Sequence, residues 1–250
     1  MIKILLILMM SAGFVLSGQK LIKKNLICPQ KTDPPPVIDG DIDEWLNLPG
    51  KIPVTGKDVR WGKSKWKDDD DLSGCFQLCW DANYLYILAD VTDEKLLVTK
   101  SGVNLYQTDH IEVDIDTDYQ PDAKGTYSAK QFLIAFSPGN MEDTGDPLVD
   151  IAPEYYIYNP VDIKIEHNIY VASKPTEYGY IIELRIPWKL LKVKPEIGMT
   201  IGIDLHLSDS DESENQESLT TLSSGKWDKR NRSKMQPAKL TNPAGRIDPK

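Results

Sequence analysis

Asn104-Leu-Tyr-Gln-Thr-Asp-His-Ile-Glu-Val-Asp-Ile-Asp-Thr-Asp118 is the stretch whose reading decides the fold. From Asp109 onward Ile111, Val113 and Ile115 alternate with His110, Glu112, Asp114 and Asp116. Strict period two marks a strand with one face in a core and the other turned away from it. The polar face carries acids at three successive alternate positions. Carboxylates ~7 Å apart repel unless a cation, a hydroxyl-rich ligand or water compensates. The plain expectation is a solvated face; the sharper one is a ligand-binding face.

Working outward, Cys75–Trp80 and Tyr84–Asp90 alternate around Asp81-Ala-Asn83, which predicts a hairpin. Further strands are expected over 131–136, 151–158, 161–172, 178–186 and 201–208, and near 219–222 and 238–241. Trp45, Trp80 and Trp188 lie in apolar patterns and belong in the core. No apolar stripe of helical spacing lasts three turns. About ten short strands between Gly/Pro-rich turns predict an all-β chain, an antiparallel β-sandwich or jelly roll with short helical turns. Residues 49–73 read as one long loop in which Asp68–Asp71 face solvent. Trp61 and Trp66 in that loop are either anchors or surface platforms.

Residues 1–17 read as a secretory signal: Lys3, an apolar run over 4–10, and Val15 and Ser17 before the cleavage point. The expected layout is therefore signal 1–17, lead-in 18–36 with Asp33-Pro-Pro-Pro36 as a stiff linker, and one domain over 37–250. The mature protein is expected to be exported, periplasmic or extracellular, with no membrane span. The chain has net charge −9; losing Lys3 and no acid takes it to −10. That balance argues against nucleic acid as partner. Lys20–Lys31 is a basic lead-in, and the last 25 residues carry a local +6 with Trp227 as their one aromatic. An oxidising compartment permits one disulfide among Cys28, Cys75 and Cys79, expected between Cys28 and one of the other two. Scattered His110, His167 and His206 make no zinc motif, and no nucleophile motif supports an enzyme.

Several pieces in order resemble the family 9 carbohydrate-binding modules, best known as appendages of secreted xylanases. They are Ile38-Asp-Gly-Asp-Ile-Asp-Glu-Trp45, Trp80-Asp-Ala-Asn-Tyr-Leu-Tyr86, Tyr106–Asp116, Gln131-Phe132, Tyr178–Trp188 and Ile201–Asp209. The resemblance implies a β-sandwich and non-catalytic sugar binding in polysaccharide utilisation, with oligosaccharide or polysaccharide as the partner alongside secreted glycosidases. It places the two stacking aromatics at Tyr106 and Trp227 and the polar contacts at Glu112, Gln131 and His206. Leu133 stands where the family has Arg, and Ser223-Ser-Gly225 where it tends to have Asn. Related modules hold structural calcium, for which Asp39/Asp41/Asp43, Asp116/Asp118 and Asp209/Asp211 offer oxygen ligands; no organic cofactor is implied. The alternatives are a haem-binding electron-transfer sandwich using Met141 and a histidine, a glycosidase, and a scaffold that has lost its ligand.

Overall fold

The computed structural model describes residues 27, 29–121, 128–146, 149–161, 167–212, 215–223 and 234–243. Among them two sheets lie face to face. The smaller contains β1 (Gln30–Lys31), β2 (Ile52–Val54), β4 (Ser73–Trp80), β5 (Tyr84–Thr92), β9 (Tyr170–Thr176) and β10 (Gly179–Pro187). The larger contains β3 (Val59–Trp61), β6 (His110–Asp116), β7 (Gln131–Ser137), β8 (Glu154–Asn159), β11 (Thr200–Asp209), β12 (Ser218–Thr220) and β13 (Gln236–Lys239). The larger sheet runs β3-β12-β11-β6-β7-β8, with β13 also on β11. All its pairings are antiparallel. The fold is the expected all-β sandwich.

Alternation builds the core directly. Phe76, Leu78, Ile87, Ala89, Ile182 and Leu184 of the smaller sheet meet Ile111, Val113, Ile115, Phe132, Ile134, Ile203 and Leu205 of the larger. Trp80 and Trp188 belong to this core. Trp45 packs instead on the outer face of the smaller sheet, with Ile38, Cys79, Tyr86, Leu88 and Ile181.

That second cluster explains the Ile38–Trp45 piece. Glu183 of β10 accepts hydrogen bonds from Asp39 N (3.0 Å), Gly40 N (2.6 Å) and Trp45 Nε1 (2.5 Å). Gln77 Nε2 donates to the carbonyls of Trp45 and Leu48. Gly40 has φ +84°, and a Cβ there would lie 2.9 Å from Ser173 and Lys174. One buried carboxylate therefore fastens the entering segment over the sheet.

Three expectations change. The 49–73 stretch holds β2 and β3, and its Asp71 is buried. Trp66 is its anchor, donating from Nε1 to Leu72 O at 3.0 Å, whereas Trp61 is exposed. The lead-in contributes β1, paired parallel with β4 and held by Trp80 Nε1, which reaches Pro29 O and Thr241 O at 3.2 Å. Cys75 and Cys79 are both free thiols, so neither forms the expected bridge; Cys79 is sealed beneath the Trp45 cluster. Residues 1–17, Cys28 and Trp227 lie outside the described residues. No helix among the described residues is long and apolar enough to cross a membrane.

Removing Glu183 strands the buried Gly40 N and Trp45 Nε1 and frees the part-buried Asp39 N. Glu183→Ala should lower unfolding stability by about 3 kcal/mol in urea titrations, and Glu183→Gln by clearly less. Equal, negligible losses would show that the Ile38–Trp45 segment is held by its apolar contacts alone.

Candidate functional site

The outer face of the larger sheet is where β6 and β11 bring their polar positions together. Residues directly opposite in a ladder point to the same face. Glu112 lies opposite His206, Asp114 opposite Asp204, and His110 opposite Ser208. On the other side Glu112 faces Ala135, Asp114 faces Leu133 and Asp116 faces Gln131. All four polar β6 residues are buried, which overturns the solvated reading of this face.

Burial of so many acids requires compensation, and His206 supplies it. Its Nδ1 meets Glu112 Oε2 at 3.0 Å and its Nε2 lies 3.3 Å from Asp204 Oδ2. The second contact is an ion pair off the hydrogen-bond direction, since Nε2 lacks a directed acceptor. With a carboxylate at each nitrogen, the ring is a doubly protonated imidazolium. Burial opposes that charge, but Asp204 and Glu112 outweigh it and push His206 up to about 10. Burial likewise opposes the Glu112 carboxylate, yet His110 and His206 hold it well below its ordinary 4.5.

The flanking acids are handled differently. Asp204 accepts from Thr221 Oγ1 at 2.9 Å, from Ser223 N at 3.1 Å and from Ser223 Oγ. Asp114, gripped on both oxygens by Gln131 Nε2 at 3.0 Å, is pushed up to about 8 by burial. At neutral pH it therefore keeps its proton. His110 Nδ1 donates to Thr108 O at 2.6 Å, and its Nε2 lies 3.7 Å from Glu112. His110 Nε2 and Gln131 Oε1 are buried without hydrogen-bond partners.

An aromatic wall stands beside these groups. Tyr106 sits on a 3-10 turn over Gly102–Gln107 and is 43% exposed. Tyr158 packs edge-on against it at 6.3 Å and fixes the turn, accepting from Tyr106 N (3.2 Å) and donating to Val103 O (3.1 Å). Tyr156 lies 4.9 Å from Tyr158 and shares a row with Ala135 and Glu112. Ala135 is the smallest member of that row and is buried between the tyrosine and the carboxylate.

Two further acid groups occur at one end of the sandwich. Asp71, Glu94 and Asp211 surround Lys67 Nζ at 2.9, 2.7 and 2.7 Å, so an ammonium already fills them. Asp93, Asp109 and Asp209 also come within 4.8 Å of one another, all buried. Asp109 accepts from Leu97 N and Ser210 N, and Asp93 from Lys95 N. Asp93 Oδ2 and Asp209 Oδ1 are buried without partners. Burial, then repulsion from neighbouring carboxylates, pushes Asp93 to about 6 and Asp209 to about 8, and Asp109 well above its ordinary value. A carboxylate-only set of this kind fits a hard, oxygen-seeking divalent cation. Among the described residues, Asp209 is the acid of the expected oxygen-ligand turns that belongs to this trio. Asp41 instead pairs with Lys174, and Asp116 Oδ1 accepts from Asp118 N.

Residues 38–242 match the sequence profile described as carbohydrate family 9 binding domain-like. The chain belongs to this family. Endo-1,4-beta-xylanase A of Thermoanaerobacterium saccharolyticum is 30% identical over 187 residues, 74% of this chain and 14% of the relative. Exoglucanase XynX of Acetivibrio thermocellus matches to the same extent. The chain thus spans about a seventh of the length of these relatives. A carbohydrate binding module family 9 from Caldicellulosiruptor kristjanssonii in complex with cellotriose superposes with TM-score 0.65 at 23% identity, covering 90% of this chain and 96% of that one.

Within this family 9 module, Glu112, Gln131 and His206 share the outer face of the larger sheet, and Tyr106 packs on Tyr158 from the turn over Gly102–Gln107. Trp227 lies outside the described residues. Sequence reasoning missed Tyr156, Tyr158, Asp204 and the Asp93/Asp109/Asp209 trio; the alternation Tyr156-Ile-Tyr158 was the available signal for the first two. Met141, the methionine of the haem alternative, has its Sδ 3.8 Å from Ser173 Oγ. His110 and His206 flank Glu112, while His167 lies by Tyr155, which packs against the core.

The imidazolium bridge gives this module a pH signature. His206 is raised above its ordinary 6.5, so its stabilisation is full below that pH and is lost as pH climbs towards 10. Glu112 is depressed, so its contribution is full above 4.5 and is lost in acid. Urea midpoints should therefore fall between pH 7 and 10, and His206→Gln should flatten that fall. Parallel declines in both proteins would contradict the bridge.

Proposed function

We propose that this module binds, without catalysis, the terminal sugar of a neutral β-linked glycan on the outer face of its larger sheet. The observation that carries the reading is the exposed Tyr106 ring beside a buried, hydrogen-bonding polar face. Sugars offer C–H faces to aromatic rings and hydroxyls to carboxylates, amides and imidazoles. Tyr106 and Trp227 are the stacking residues, and Glu112, Gln131 and His206 the hydroxyl contacts. The names of the xylanase and exoglucanase relatives, and of the cellotriose complex, support a β-1,4-linked xylan or glucan as the ligand class. The module is exported through residues 1–17 and works beside secreted polysaccharide-degrading enzymes.

Leu133, buried beside Asp114, cannot donate to a hydroxyl as the family's Arg would. The His206 imidazolium is the positive charge that Glu112 retains. Two carboxylates on the face, Glu112 and Asp204, outnumber the one imidazolium, which disfavours a sugar acid and favours a neutral ring.

Calorimetry with xylo- and cello-oligosaccharides tests this. Tyr106→Ala and Trp227→Ala should each weaken binding on the order of tenfold, about 1.4 kcal/mol. No heat with any sugar, or affinities untouched by both changes, would overturn the assignment. Release of reducing sugar that vanishes in Glu112→Gln would point to hydrolysis instead.

The Asp93/Asp109/Asp209 trio is proposed to hold calcium, tying together the ends of β5 and β11 and the entry to β6. Free calcium at a hundred times its dissociation constant would add about 2.7 kcal/mol, which in calorimetry is a melting rise of roughly 5–10 °C. Chelator should reverse the rise and Asp209→Asn should abolish it. An unchanged melting temperature with and without calcium would exclude the cation.

A further inference from the structure

We infer that Trp61 forms a second, distal sugar subsite on the same face, contacting a glycan several residues from the end held near Tyr106. The inference rests on the terminal-sugar reading above and extends it from one sugar to a chain. β3 is the edge strand of the larger sheet. Trp61 pairs with Leu219, Leu219 with Ser208 and Ser208 with His110, so the four share one row on the outer face. At ~4.8 Å per strand, Trp61 stands about 14 Å from His110.

A tryptophan that is 44% exposed on an edge strand leaves apolar surface uncovered, and here the groups around it suit a pyranose ring. Trp61 lines an open cleft of about 510 Å³ with Ser64, Lys65, Asn215, Gln216 and Glu217. With Glu212 also on its wall, a hydroxyl, an ammonium, two amides and two carboxylates ring one indole. That combination gives a stacking face plus donors and acceptors for hydroxyls.

The cleft is held in shape before any ligand arrives. Gly62, at φ +68°, lets the 62–65 turn press against the segment leading into β12; a Cβ there would fall 1.9 Å from Glu217 O. Lys65 N donates to Gly62 O at 2.8 Å, and Lys65 Nζ lies 3.8 Å from Glu217. Glu217 N donates to Asp209 O at 2.8 Å, and Gln216 Nε2 to Ser208 Oγ at 2.8 Å. Walls fixed in advance lose little freedom on binding. Trp66, five residues along, is a contrast: its indole is spent on Leu72 O and on the wall beside Gly56.

Chain length is the readout. Wild-type protein, Trp61→Ala and Trp61→Phe are titrated calorimetrically with a β-1,4-linked disaccharide and the matching hexasaccharide. The wild type should bind the hexasaccharide at least fivefold more tightly than the disaccharide. Trp61→Ala should erase that gain while leaving disaccharide affinity within twofold, and Trp61→Phe should keep part of it. Hexasaccharide affinity unchanged in Trp61→Ala, or both sugars weakened equally, would overturn the inference while the terminal site stands. A wild type that binds neither sugar would overturn the terminal-site reading, and the inference with it.

Discussion

One imidazolium between two carboxylates makes the outer face of the larger sheet possible. Glu112 and Asp204 project from neighbouring strands within a buried layer, where like charges repel. His206 stands between them and touches both. Ion pairs of this depth add little net stability against a well-packed apolar alternative, because both partners lose their water. Their value here is arrangement. The bridge holds Glu112 ionised and keeps β6 and β11 in one register with polar groups facing outward. A flat, apolar face at this place would present nothing to a hydroxyl.

The chain solves the same problem of crowded acids in three different ways. At the centre of the sheet the counter-charge is a histidine on the adjacent strand. Around Asp71, Glu94 and Asp211 it is Lys67, reaching in from a loop. At Asp93, Asp109 and Asp209 no side-chain cation among the described residues pairs with the group, and two buried carboxylate oxygens are left without donors. Burial alone pushes such groups towards the neutral acid, and a hard cation would pull them back. The trio draws on the end of β5, the entry to β6 and the end of β11, so whatever neutralises it also sets how those ends meet. The Trp61 cleft adjoins the loop that leaves Asp209, which links the geometry of the two places.

Much of the fold was legible because alternation is a local property. Ile111, Val113 and Ile115 declare their face without any partner, and the 75–90 hairpin announces its own turn. β2 and β3 were missed because three residues between prolines and glycines are too few to show a period. The polar face was misjudged for a different reason. Whether Glu112 and Asp114 meet water or a histidine depends on which strand lies alongside, and β11 is distant in the sequence. Family resemblance put His206 near Glu112, yet did not foresee that both its nitrogens would be engaged. Asp209 was named among the acid-rich turns, but its meeting with Asp93 and Asp109 was invisible in the sequence for the same topological reason. Acid-rich turns such as 39/41/43 drew attention instead, and those turns spend their carboxylates on local backbone and on Lys174. A disulfide was expected from composition alone, but Cys79 faces the Trp45 cluster.

The central claim is that the sugar sits on the outer face of the larger sheet, where the tyrosine wall meets the imidazolium-bridged acids. A crystal structure with a β-1,4-linked oligosaccharide tests it most directly. The account predicts a terminal ring stacked on Tyr106, with hydroxyls within hydrogen-bond reach of Glu112, Gln131 or His206. A sugar seated on the smaller sheet, or an outer face of the larger sheet left bare at saturating ligand, would contradict it.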